Sequence, residues 1–161
     1  MPKTITVRLN SKSISAAVTE IRNYALSLNR KADWFVSELA EIGKATAEPA
    51  FMSPEGENEP CTVYVERQGE GNAAVIADGE SAVFVEFGAG IGVNNHPQAG
   101  EFGFYDGSYS QSVGGMYSKK GFWKYNGKGY MAIMAGKGMY YAAKQMRQEL
   151  EPTARKVFAN D

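Results

Sequence analysis

The sequence predicts an α+β fold, an antiparallel β-meander packed against N-terminal helices and a C-terminal helix, with a long Gly/aromatic-rich loop. Three observations carry it. Apolar residues recur at three- and four-residue spacing from Ile14 to Thr46 and from Met139 to Phe158. Between Thr62 and Phe87 the pattern changes to alternation, the period of a half-buried strand. Turn-forming groups punctuate the alternating runs: Gly69-Glu70-Gly71-Asn72, Asp78-Gly79 and Asn126-Gly127. At 161 residues with 43% hydrophobic content, the chain has the size of a single domain, 1–161, and enough apolar material for a core.

The elements follow in order. Thr4 to Leu9 sets Ile5, Val7 and Leu9 against Thr4, Thr6 and Arg8, a strand pattern rather than the apolar run of a signal peptide. Asn10, Ser11 and Ser13 offer N-cap side chains. Behind them runs a stripe of Ile14, Ala17, Val18, Ile21, Ala25 and Leu28. A second stripe holds Trp34, Phe35, Leu39, Ile42 and Ala45 or Thr46, and ends before Pro49. Residues 13–48 are thus two helices or one long bent helix.

An acidic connector with two prolines, Ser53 to Pro60, leads to three expected strands: Thr62 to Arg67, Ala73 to Ala77 and Ser81 to Phe87. Nine of the chain's 18 glycines then fall between 88 and 121, among Phe102, Phe104, Tyr105, Tyr109, Met116 and Tyr117. Loops beyond about 12–15 residues are uncommon in compact domains unless they are functional. This one reads as an arm that orders against a partner. Phe122 to Tyr125 and Tyr130 to Met134 flank Asn126-Gly127 as a hairpin. In the last helix Pro152 removes an amide donor and should kink or divide it.

Charge excludes several classes. There are 17 Lys and Arg against 18 Asp and Glu, so the formal net charge is −1, without the basic excess of a nucleic-acid coat. The near-neutral total hides segregation: +2 over residues 1–50, −7 over 51–86 and +4 over 87–161. Such patches suit either a solvated sheet face or contacts between copies. No stretch approaches the roughly 20 apolar residues of a membrane span. A single cysteine, Cys61, rules out an internal disulfide and fits a reducing compartment.

Catalytic and ligand-binding constellations are thin. The one histidine, His96, and Cys61 form a conceivable dyad but lie in no nucleophile motif; an inert cysteine and a surface histidine is the alternative. With one Cys and one His, zinc has no ligand set. A carboxylate pair could be drawn among Glu66, Asp78 and Glu86, as in any acidic sheet. Gly88-Ala89-Gly90-Ile91-Gly92 lacks the spacing and the lysine of a phosphate loop, and reads as a flexible loop after a strand. Lys119, Lys120, Lys124 and Lys128 lie among Tyr117, Phe122, Trp123, Tyr125 and Tyr130, which suits single-strand nucleic-acid binding or a hairpin with inward aromatics. No cofactor is expected.

The order of elements is more distinctive. Val83-Phe84-Val85-Glu86-Phe87-Gly88-Ala89-Gly90 precedes a loop and then a Met/Tyr/Ala-rich helix, Gly138 to Met146, closing at Val157-Phe158. From about Ser13 to Phe158 this resembles the head–tail joining or tail-completion (minor tail, neck) proteins of long-tailed phages and prophages. Those share a V-E-F-G-T/A-G segment and a terminal amphipathic helix. The resemblance implies a non-enzymatic protein that assembles, as a ring, between the head connector and the tail tube. Its partners would be other copies of itself and neighbouring connector or tail-tube proteins. It would sit in the virion neck or tail, and in host cytoplasm during assembly, with no membrane and with nucleic acid only by proximity to the DNA channel. The contact residues expected from this reading are Glu86, Phe102, Phe104, Tyr105, Tyr109, Met116, Tyr117, Lys119 and Lys120.

Overall fold

The computed structural model describes residues 6, 8, 10–52, 60–89, 96–104, 122–125, 128–131 and 133–159. It is α+β, as the sequence predicts. Helix α1 spans Ser11–Met52, one unbroken element of 42 residues in place of the two possible halves. Asn10 starts it: its side-chain oxygen accepts the Ser13 amide at 2.8 Å, satisfying a donor the first turn leaves over. Pro49 lies one turn from the C-terminus, so the missing amide there removes a single helix bond and α1 continues to Met52. The strand expected at Thr4 to Leu9 falls largely outside the described residues.

Strands β1 (Thr62–Arg67) and β2 (Ala73–Asp78) form an antiparallel hairpin, with Thr62 opposite Asp78 and Arg67 opposite Ala73. Both ends of the hairpin are fixed to α1. The Cys61 amide donates to the Phe51 carbonyl at 2.9 Å, and in the turn the Gly71 amide donates to the Asp33 carboxylate. The lengths agree: 18 helical rises span about 27 Å and eight extended residues about 26 Å.

After β2 the chain departs from the expected meander. Ser81 to Phe87, read above as a third strand, contains helix α2 (Ala82–Phe87). Its apolar residues occupy both parities, so the alternation is only apparent, and short apolar runs fit either period. Gly79, at φ 152°, turns the chain out of the sheet, where any side chain would meet the Cys61 sulfur. The helical form buries Phe84, Val85 and Glu86 together, which a strand would point to opposite faces. A second hairpin pairs β3 (Phe122–Tyr125) with β4 (Lys128–Met131), and an isolated bridge joins Ala89 to Ile133. The described strands therefore make two separate two-stranded sheets rather than a meander.

The C-terminal helix divides as Pro152 requires. Helix α3 (Gly138–Gln148) and helix α4 (Leu150–Phe158) meet at Glu149, and Pro152 falls in the first turn of α4, where no amide donor is needed. Small residues let α1 and α3 approach closely: a methyl on Gly43 would lie 2.6 Å from the Met146 sulfur, and one on Gly138 would lie 2.7 Å from the Phe51 ring. Ala47, Phe51, Cys61, Val63, Val85 and Ala142 form the core between them. Farther along α1, Phe35 packs against Phe158 and Lys156 pairs with Glu38 at 2.6 Å. Lys156 and the Trp34 indole hold the Glu38 carboxyl below its ordinary range.

Two outcomes test this core. Phe51→Ala should cost about 3–5 kcal/mol in urea denaturation, because the ring is fully buried. Burial raises the Cys61 thiol above its ordinary value. Its contribution is then present below the unfolded thiol's pKa of about 8.5 and lost as pH rises through the folded value. Unfolding free energy should fall more steeply at alkaline pH in the native chain than in Cys61→Ala.

Candidate functional site

Helix α3 starts without a cap of its own. Lys137, the preceding residue, makes no side-chain capping bond and holds a left-handed conformation, φ 59° and ψ 29°. The missing acceptor comes from α2. Glu86 Oε2 accepts the Met139 amide at 2.8 Å, and Oε1 accepts the Tyr140 amide at 2.9 Å. These are the second and third amides of the helix, the pair that an adjacent Ser or Asp would ordinarily satisfy. The carboxylate charge also faces the positive end of the helix dipole.

The main chain completes the exchange in the other direction. Gly136 donates its amide to the Val85 carbonyl at 2.7 Å, and Lys137 donates to the Glu86 carbonyl at 3.2 Å. The C-terminal carbonyls of α2 are thereby satisfied by the segment that leads into α3. Gly88, at φ 76°, leaves α2 beside this segment, and a side chain there would strike the Ile133 carbonyl at 2.7 Å.

His96 adds a third donor. Its Nε2 lies 3.0 Å from Glu86 Oε1, while Nδ1 accepts the Gln98 amide at 3.1 Å. An accepting Nδ1 places the proton of the neutral ring on Nε2, so Nε2–H donates to the carboxylate. Glu86 and His96 are 6% and 7% exposed, and the imidazole packs 4.5 Å from the Phe87 ring centroid. The surface position considered for His96 is therefore corrected: the histidine is buried because it pairs with Glu86.

A groove of about 580 Å³ opens beside this cluster, lined among others by Phe51, Val83, Phe87, Phe102, Met139 and Arg147. Glu86 and His96 also line it. Their side-chain hydrogen bonds to the Met139 and Tyr140 amides, to each other and to the Gln98 amide, however, stay within the chain, which suits a structural lock. The other expected site residues divide. Phe102 is exposed, and Phe104 stacks on Phe87 at 4.3 Å between centroids. Tyr105, Tyr109, Met116, Tyr117, Lys119 and Lys120 lie outside the described residues. Glu66 and Asp78 stand four ladder positions apart, about 13 Å, too far for a glycosidase pair. Cys61 sits against Gly79 in the core, while the His96 nitrogens address Glu86 and Gln98. The dyad is not assembled. The glycine run at 88–92 follows a helix rather than a strand, and Gly90 to Gly92 lie outside the described residues.

Comparisons with family models, curated proteins and solved structures return no match for this chain. Among the described residues no group of three or more His, Cys, Asp and Glu could hold a metal ion, and no helix is long and apolar enough to cross a membrane.

Sequence reasoning noted Glu86 as a contact residue and missed its capping role. The signal was available: Lys137-Gly138-Met139 opens a helix with no capping side chain, and Glu86 is the one acid within an otherwise apolar run. Glu86→Ala should cost about 3–5 kcal/mol, because it strands two helix amides and an imidazole in the interior. Faster amide exchange at Met139 and Tyr140 would report the lost cap. Lys137→Gly should instead stabilise the chain by about 0.5–1 kcal/mol, by removing left-handed strain. Equilibrium denaturation of both variants measures the two signs.

Proposed function

We propose that the chain is a structural protein of a phage or prophage particle, joining head connector to tail by ring-type self-assembly without catalysis. The observation that carries the self-assembly is the N-terminal half of α1. Ile14, Val18, Ile21, Tyr24 and Leu28 are exposed there, while Ala17 is the one buried residue between Ser11 and Ala32. Single exposed apolar residues are ordinary; a patch repeated over several turns marks a protein-contact surface. The resemblance of the Val83 to Gly90 segment and the final helix to neck and tail-completion proteins supplies the context, a particle in which copies meet one another and a connector or tail tube. Charge segregation along the chain supports the same reading. The bonding of Glu86 supports a non-catalytic role, since both its oxygens hold the fold together.

Mass measurement in solution, alone and with a connector or tail-tube protein, tests it. Oligomers whose mass rises with concentration or on adding the partner are expected. A strict monomer that binds neither protein would sink the reading.

A further inference from the structure

His96 is the only histidine of the chain, and its two ring nitrogens hold two different parts of the fold. Nε2–H donates to the Glu86 carboxylate at 3.0 Å, on the side of the α3 cap. Nδ1 accepts the Gln98 amide at 3.1 Å, where the 3₁₀ turn Ala99–Phe102 begins. The backbone bonds of that turn run between His96 and Phe104: Ala99 donates to the His96 carbonyl, Glu101 to Gln98 and Phe104 to Ala99. The Gln98 amide thus fastens the turn to the ring, and through the ring to Glu86. Phe102 rides on the turn, 5.6 Å from the Phe87 ring centroid, and lines the groove.

The two bonds answer a proton in opposite ways. An imidazole that takes a second proton is a donor at both nitrogens. Nε2–H keeps its carboxylate and the pair becomes an ion pair. Nδ1–H then points at the Gln98 N–H, two donors 3.1 Å apart, and that bond is lost. A proton placed on Glu86 would instead displace one of three N–H donors from a carboxylate, bonds stronger than the neutral one at Nδ1. Nδ1 is therefore where the proton enters, and solvent can deliver it, since His96 and Gln98 both line the groove. The charged and titratable groups described around the ring come from three elements. Glu86 of α2 attracts a cation there from hydrogen-bond contact. From α3, the Tyr140 ring lies 5.6 Å away and Arg147, on the same groove, repels it. Glu101 belongs to the turn and accepts the Gln98 side-chain amide at 3.0 Å.

We propose that His96 is an acid-sensitive latch. Taking a proton from solvent at Nδ1, it releases Gln98 and with it the turn Ala99–Phe102, while Glu86 keeps α3 capped. The groove wall at Phe102 loosens in acid before the helix packing does, whether or not copies of the chain assemble.

Isotope-labelled histidine gives one ring signal in nuclear magnetic resonance, which follows His96 through its own titration. Hydrogen exchange read by mass spectrometry, expressed as protection relative to the unfolded chain at each pH, follows the backbone. Protection over residues 98–104 should fall about tenfold or more in step with the ring signal, while protection over 139–146 holds. His96→Asn keeps a side-chain acceptor for the amide two residues on at every pH, so its protection over 98–104 should stay level across the same range. An equal loss in that variant would overturn the latch. So would unchanged protection over 98–104 while the native ring titrates, or loss at Met139 and Tyr140 in the same step. A ring that stays neutral until the whole chain unfolds would overturn it as well, and these native-chain readings decide even where the variant does not fold.

Discussion

The carboxylate of Glu86 sits where two helix ends meet, and most of the local backbone follows from that. An isolated buried carboxylate costs several kcal/mol in lost hydration. Here it receives two helix amides and one imidazole N–H, each a charge-assisted bond of about 1.5–3 kcal/mol. Those bonds offset the desolvation, and the charge gains further from the positive helix end. Capping from another element imposes conditions. Gly88 must leave α2 with positive φ, Gly136 must approach the Val85 carbonyl, and Lys137 must take a left-handed turn so that α3 starts beneath the carboxylate.

That lock positions the larger helix packing. Gly138 opens α3 against the Phe51 ring, so the capped end of α3 meets the C-terminal end of α1. From there the two helices run together through Ala47, Ala142, Gly43 and Met146, and α4 carries the contact on to Phe35. The hairpin lies along the same stretch of α1, tied at Phe51 and at Asp33. His96 brings the segment after α2 to the same carboxylate, which places Phe87, Phe102 and Phe104 as one aromatic wall. Capping, core and groove are therefore not independent features.

Much of the fold was legible where local rules and tertiary demands agree. The cap at Asn10, the stripes of α1, the first hairpin with its glycine turn and the break near Pro152 all follow from neighbours in the chain. Where they disagree, the sequence misled. Val83, Val85 and Phe87 alternate as a strand should, yet the chain coils there because Glu86 must face α3 from 53 residues away. A bond spanning that distance leaves no periodic trace. The burial of His96 has the same origin, since nothing beside it in sequence identifies its carboxylate partner. Of the candidate site, Glu86, Phe102 and Phe104 could be singled out by residue type, but not the groove they share.

The stripe along α1 runs without interruption from the exposed N-terminal half of the helix into its packed C-terminal half. Ile14, Val18, Ile21, Ala25, Leu28, Ala32, Phe35, Leu39 and Ile42 follow one another at alternating steps of four and three, without a change of phase. A helix needing only its own fold for stability could become polar once past the Asp33 anchor. This one keeps its apolar seam for about five further turns, back to Ile14, although an exposed Leu or Ile forgoes about 1.5–3 kcal/mol of burial. In the second half of the seam Phe158 of α4 packs on Phe35, and Leu39 is buried. In the first half the same spacing persists, and Ile14, Val18, Ile21 and Leu28 stay exposed on the described surface.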